Sequence, residues 1–108
     1  MGETAFRVNI TADAWADLGE MADFWIERRE EWRAEKYSRD LVRTARAELC
    51  DPVRASRGRP LRSRHHPNAR EILTFGVYRI IYEIDEDDAR VDVLRFWHAH
   101  RDDPRRGL

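Results

Sequence analysis

Hydrophobic positions change their period twice along the chain. In Phe6-Arg7-Val8-Asn9-Ile10 apolar and polar residues alternate, the period-two signature of a short, half-buried strand. From Thr11 the spacing becomes three and four. Trp15, Leu18, Ala22, Trp25, Arg29 and Trp32 fall on one side of a helix, with Met21 and Ile26 beside them. Thr11 reads as the N-cap, and Asp13 places a carboxylate in the first turn, where the helix dipole favours it. A second stripe, Tyr37, Leu41, Ala45 and Leu49, runs toward Pro52, which prevents further helix. No glycine or proline separates the stripes, so the break is expected near residues 33–36. The three tryptophans at helical spacing are expected in the core.

After residue 70 the chain turns strand-like. Glu71-Ile72-Leu73-Thr74-Phe75, a turn at Gly76, a run from Val77 to Asp85, an acidic turn over 86–89 and a run from Arg90 to His98 predict a three-stranded antiparallel meander. The first strand is expected to join the same sheet. The order β-α-α-β-β-β makes the fold class α+β, with an N-terminal helical hairpin packed on an antiparallel β-sheet. At 108 residues the chain is expected to be one domain, residues 1–108, with a single core.

Charge changes this picture locally. The formal total is −1, which argues against unspecific nucleic-acid binding. Residues 1–51 carry 8 Arg/Lys against 12 Asp/Glu, net −4, whereas residues 52–108 carry 12 against 9, net +3. The extreme is the stretch 52–70, with Arg54, Arg57, Arg59, Arg62, Arg64 and Arg70, plus His65 and His66, and no acid. Such a stretch attracts phosphates or an acidic partner, or else it is simply a solvated loop. Cys50 is the one cysteine, so no internal disulfide can form and a reducing compartment fits. The amino terminus carries no secretion signal, and no apolar run reaches the ~18 residues of a membrane span. The expected location is the cytoplasm, without a membrane partner.

Candidate chemistry concentrates near the end of the chain. Arg79, Arg95 and His98 sit inside strand-like runs, and His100 and Arg101 follow directly. A charged side chain in a strand must face solvent or a partner, because burying it unpaired costs several kcal/mol.

The order of elements, the Gly58-Arg59-Pro60-Leu61-Arg62-Ser63 loop, the strand Tyr78-Arg79-Ile80-Ile81-Tyr82 and the closing His98-Ala99-His100-Arg101-Asp102 together resemble the RelE/ParE toxin superfamily of type II toxin–antitoxin systems. The likeness runs from about Phe6 to Asp103. It implies a growth-inhibiting toxin neutralised by a cognate antitoxin in a toxin–antitoxin hetero-oligomer, with no cofactor and no metal. It further implies one of two mechanisms. RelE-like members are ribosome-dependent mRNA endonucleases (mRNA interferases); ParE-like members are non-nuclease poisons of DNA gyrase.

The residues lean slightly toward the ribonuclease. Metal-free RNA cleavage needs a base, an acid and cationic groups around one phosphate. On the resemblance, Arg79, His98 and Arg101 are the catalytic candidates, while Arg59, Arg62, Arg64 and Tyr82 are candidates for binding RNA phosphate or a partner. Departures from the RelE pattern keep the gyrase reading and an inactive, antitoxin-binding relative open. The loop has no lysine, and no aromatic residue follows Asp102. Each candidate also has a plainer role. Arg79 can pair with an acid across the sheet, Arg101 with Asp102 or Asp103, and His98 and Tyr82 can be packing residues. The geometric question is whether Arg79, His98 and Arg101 share one sheet face.

Overall fold

The computed structural model describes residues 4–98 and 104–108. Strand β1 (Arg7–Ile10) leads into helices α1 (Ala12–Glu27) and α2 (Glu31–Leu49), then a one-turn helix α3 (Pro52–Ser56). Strands β2 (Arg59–Pro60), β3 (Arg70–Thr74), β4 (Tyr78–Asp85) and β5 (Arg90–His98) follow, and a 3-10 turn (Pro104–Gly107) ends the chain. The five strands form one sheet in the order β1-β5-β4-β3-β2. The meander β3-β4-β5 is antiparallel, as its short turns require, and β2 adds antiparallel to β3. Strand β1 joins β5 in parallel, so the sheet as a whole is mixed. The helical hairpin between them is long enough for that crossover.

Each helix end has a local cause. Thr11 accepts the Ala14 N–H at 3.3 Å while its hydroxyl donates to the Val93 carbonyl at 2.8 Å, so one side chain caps α1 and fastens it to β5. Helix α1 ends earlier than expected from sequence, at Glu27, because Arg29 adopts a left-handed φ of 58°. That turn breaks the phase of the first stripe and puts Trp32 on α2. The face of α1 that meets the core is instead Ala14, Leu18 and Met21, with Trp25 half-buried. Trp15 and Trp32 therefore correct the expectation of a tryptophan core: they are 49% and 60% exposed.

The second stripe is the core it predicts, with Leu41, Ala45 and Leu49 buried against the sheet. Pro52 ends nothing further along; it occupies the first turn of α3, where its missing N–H has no partner to lose, and Asp51 caps that turn through the Val53 N–H at 2.9 Å. The main core joins these helices to Ile80, Tyr82, Val91, Val93 and Phe96. A smaller cluster of Leu61, Ala69, Ile81 and Trp97 covers part of the opposite sheet face, with Leu94 and Leu108 packed on it. Among the described residues no helix is long and apolar enough to cross a membrane.

Candidate functional site

Which face each strand residue occupies depends on a single irregularity. From the β4–β5 turn the register runs Asp85↔Arg90 to Tyr82↔Val93, then shifts by one residue between Ile81 and Tyr82, so that Ile81 pairs with Arg95 and Tyr78 with His98. The extra residue on β5 is a bulge, and it reverses the side to which every later β5 side chain points. Phe96 and His98 face the helices beside Ile80 and Tyr78, and the His98 ring meets Tyr78 edge-on at 5.3 Å. Trp97 and Arg79 are cross-strand partners on the other face. Arg79 and His98 consequently project to opposite sides of the sheet. Arg101 and His100 lie outside the described residues.

On the face away from the helices Arg79 is not a free cation. Glu71 of β3 is only 6% exposed, and its carboxylate lies between two guanidinium groups. Arg59 bonds one oxygen, and Arg79 Nη1 stands 3.5 Å from the other. Two positive charges thus share one buried negative charge. The neighbouring part of this face is closed by the chain end: Arg95 Nη1 donates to the Gly107 carbonyl at 2.8 Å and its guanidinium stacks 5.1 Å from the Trp97 ring centre. Glycine at 107 allows this close approach, since a Cβ would lie 2.7 Å from Arg95 Nη1 and 2.8 Å from Trp97 Cζ3 and would force one of them to move.

The basic stretch 52–70 is less uncompensated than its composition suggests. Arg54 lies within 4 Å of Glu48 and Asp51, at 3.8 and 3.9 Å, and His66 Nδ1 contacts Glu83 at 3.2 Å. Arg70 donates to the Gly58 carbonyl at 2.8 Å. Glu48 and Asp51 stand just ahead of the stretch in sequence, whereas Glu83 reaches it only through the fold. Arg62 and Arg64 are exposed and make no ion pair among the described residues. Arg62 lines a polar depression of about 740 Å³ whose wall includes Glu83, Asp85 and Asp87. That wall disfavours a phosphate.

Tyr82 corrects another expectation. It is 0% exposed, and its hydroxyl donates to the Ala55 carbonyl, so it is a core residue and offers no surface for RNA or a partner. Burial raises its pKa. A Cβ on Gly58 would lie 1.9 Å from that hydroxyl, which explains the glycine.

On the helix side, two features escaped the sequence reading. The first is Asp17, buried within α1, which accepts from Arg95 at 2.7 and 2.8 Å and from the Phe96 backbone N–H at 3.0 Å. Strand β1 ends at Ile10, and Asp17 supplies the acceptor that a longer β1 would have offered. An acid in phase with Ala14, Leu18 and Met21 was the available signal. The second is an apolar groove of about 1060 Å³ between α1 and α2, floored by Trp15, Leu18, Ala22 and Val42. Arg39, Arg43 and Arg46 border it at helical spacing. Among the described residues no three His, Cys, Asp or Glu side chains come together as a metal-ligand set.

This architecture has solved counterparts. The chromosomal ParDE toxin–antitoxin system from P. aeruginosa contains a chain that superposes with a TM-score of 0.74 at 19% identity, over 91% of this chain and 100% of that one. The toxin–antitoxin complex RelBE2 from Mycobacterium tuberculosis gives 0.65 at 23% identity, over 91% and 97%. At these identities the likeness concerns the fold. Among curated proteins none matches the chain significantly. The family described as the ParE toxin of the type II toxin–antitoxin system parDE matches residues 8–103. With that match spanning nearly all of its length, the chain belongs to the ParE toxins of type II toxin–antitoxin systems, within the RelE/ParE superfamily.

Proposed function

We propose that this toxin arrests growth by binding a protein, DNA gyrase, and that it does not cut mRNA. The observation that carries this reading is the opposed orientation of Arg79 and His98. A cation that holds the scissile phosphate and the histidine that exchanges its protons must reach the same phosphate, within about 3 Å of the atoms they serve. Two side chains on opposite faces of a packed sheet cannot do so. Glu71 adds to this, because an anionic phosphate approaching Arg79 would have to displace or face a buried carboxylate. The single domain, residues 1–108, then acts as a recognition module.

The neutralising partner in this reading is a cognate antitoxin. The two structural counterparts are described as toxin–antitoxin assemblies, which supports such a partner. The α1–α2 groove, apolar at its floor and bordered by Arg39, Arg43 and Arg46, suits an amphipathic helix with acidic flanks.

The test is tightly controlled induction in a bacterial host, with pulse-labelling of protein and DNA synthesis. Failing DNA synthesis with an induced DNA-damage response, while translation continues, is the expected result. Prompt loss of translation would return the protein to the mRNA-cutting branch.

A further inference from the structure

A half-enclosed cleft of about 460 Å³ opens between α1 and the ends of β4 and β5. Its volume falls in the range of about 300–1,000 Å³ usual for small-ligand sites. Aromatic rings make most of its wall: Phe24 and Trp25 from α1, Tyr78 from β4, and Phe96 and His98 from β5. Phe24 and Trp25 meet edge-to-face at 4.9 Å, and Tyr78 and His98 do so at 5.3 Å. Perpendicular pairs of this kind turn electron-rich faces in more than one direction, as a cage for a cation requires.

The charges around the cleft point the same way. Asp17 and Glu20 belong to its wall. Asp17 is engaged by Arg95, whereas Glu20 makes no ion pair among the described residues. Asp13 and Glu20 both lie near enough to Arg95 to favour its charged form. The same aromatic group already attracts guanidinium: Arg28 sits 3.6 Å over the Phe24 ring and Arg33 5.0 Å from Trp25.

We propose that this cleft is a binding site for an organic cation, namely the guanidinium of an arginine presented by a partner polypeptide. The aromatic walls hold the planar head by cation–π contact, and Glu20 supplies the counter-charge at the mouth. This site does not depend on which cellular target the toxin has.

The test is titration of the full-length protein with N-acetyl-arginine amide, following tryptophan fluorescence and the NMR shifts of Trp25 and Tyr78. N-acetyl-citrulline amide serves as the neutral isostere. A saturable response near 1 mM, nearly complete at about 10 mM, is expected for the cation and not for citrulline. Glu20→Gln should weaken it roughly two- to fivefold, as loss of one exposed charge–charge partner predicts. Because Glu20 is exposed, that variant should fold normally, and its unchanged NMR dispersion checks this. Tighter binding of spermidine than of the arginine derivative would overturn the assignment to arginine and give the site to a free polyamine. Equal binding of citrulline, or no loss of affinity in Glu20→Gln, would overturn the proposal.

Discussion

Arg95 and Asp17 meet through two parallel hydrogen bonds, Nε to Oδ2 at 2.7 Å and Nη2 to Oδ1 at 2.8 Å, which fasten strand β5 to helix α1. The bond to Asp17 is the main reason the Arg95 pKa is raised. Removing one partner leaves the other buried and uncompensated. Arg95→Met should therefore cost about 3–5 kcal/mol in urea denaturation. Arg95→Met combined with Asp17→Asn should cost less than Arg95→Met alone, because the neutral amide still accepts the Phe96 N–H. A double variant weaker than the single one would show that the pair is not what holds this junction.

Arg79 and Glu71 form the second decisive pair. If Arg79 compensates Glu71 and does no chemistry, Arg79→Ala should keep full growth arrest on induction, since Arg59 still bonds the carboxylate. Replacing Arg59 and Arg79 together should cost more than the sum of the single changes, because only then is a carboxylate that is 6% exposed left without any cation. Loss of toxicity in a folded Arg79→Ala protein would contradict both the pairing role and the gyrase reading.

Phe75 carries a positive φ of 52°, next to Gly76 at 69°, in a turn closed by the Val77 N–H to the Thr74 carbonyl at 3.3 Å. Two successive positive φ values are the signature of a tight hairpin turn that prefers Asn-Gly. Phenylalanine is poorly suited to that conformation, and this one is half exposed. Phe75→Asn should raise stability by about 0.5–1 kcal/mol, read as a higher midpoint in thermal melting. A lower midpoint would mean that its packing near Tyr37, at 6.5 Å between ring centres, outweighs the backbone strain.

Tyr78 and Tyr82 both have pKa values raised by burial, for Tyr78 against the opposing effect of the Trp25 indole. A raised folded-state pKa stabilises fully below the unfolded value, about 10 for tyrosine, and that stability is lost as pH rises toward the folded value. Stability should thus be flat with respect to these groups at neutral pH and decline above about pH 10. Following tyrosinate absorbance and circular dichroism together checks this, since the two buried tyrosines should ionise only as the fold is lost. Tyr82→Phe should reduce the alkaline loss while costing about 1–2 kcal/mol at neutral pH for the abandoned Ala55 carbonyl.

Much of the fold was legible from local pattern. Period two marked β1, strand-like runs between turn signals marked the meander, the Tyr37-Leu41-Ala45-Leu49 stripe marked α2, and Thr11 marked the cap of α1. These signals act over a few residues, where backbone geometry and side-chain periodicity are directly coupled. The end of α1 was not legible, because the left-handed turn at Arg29 involves no glycine or proline. Strand β2, two residues long, is too short to carry a period.

What the chain fixes by itself is therefore its set of elements, their order, and the pool of charged residues available to it. Tertiary structure alone decided how those charges are used. Glu71 pairs with Arg59 and Arg79, and Glu83 contacts His66, across the fold, although the sequence places no acid within 52–70. The one-residue bulge of β5 decided the rest. Carried on without it, the register from Asp85↔Arg90 would set Arg79 opposite Phe96, and so on the same face as His98. With it, Arg79 pairs with Trp97 and His98 turns toward the helices. A side chain's face depends on strand parity, and a single inserted residue inverts that parity while hardly altering the hydrophobic pattern.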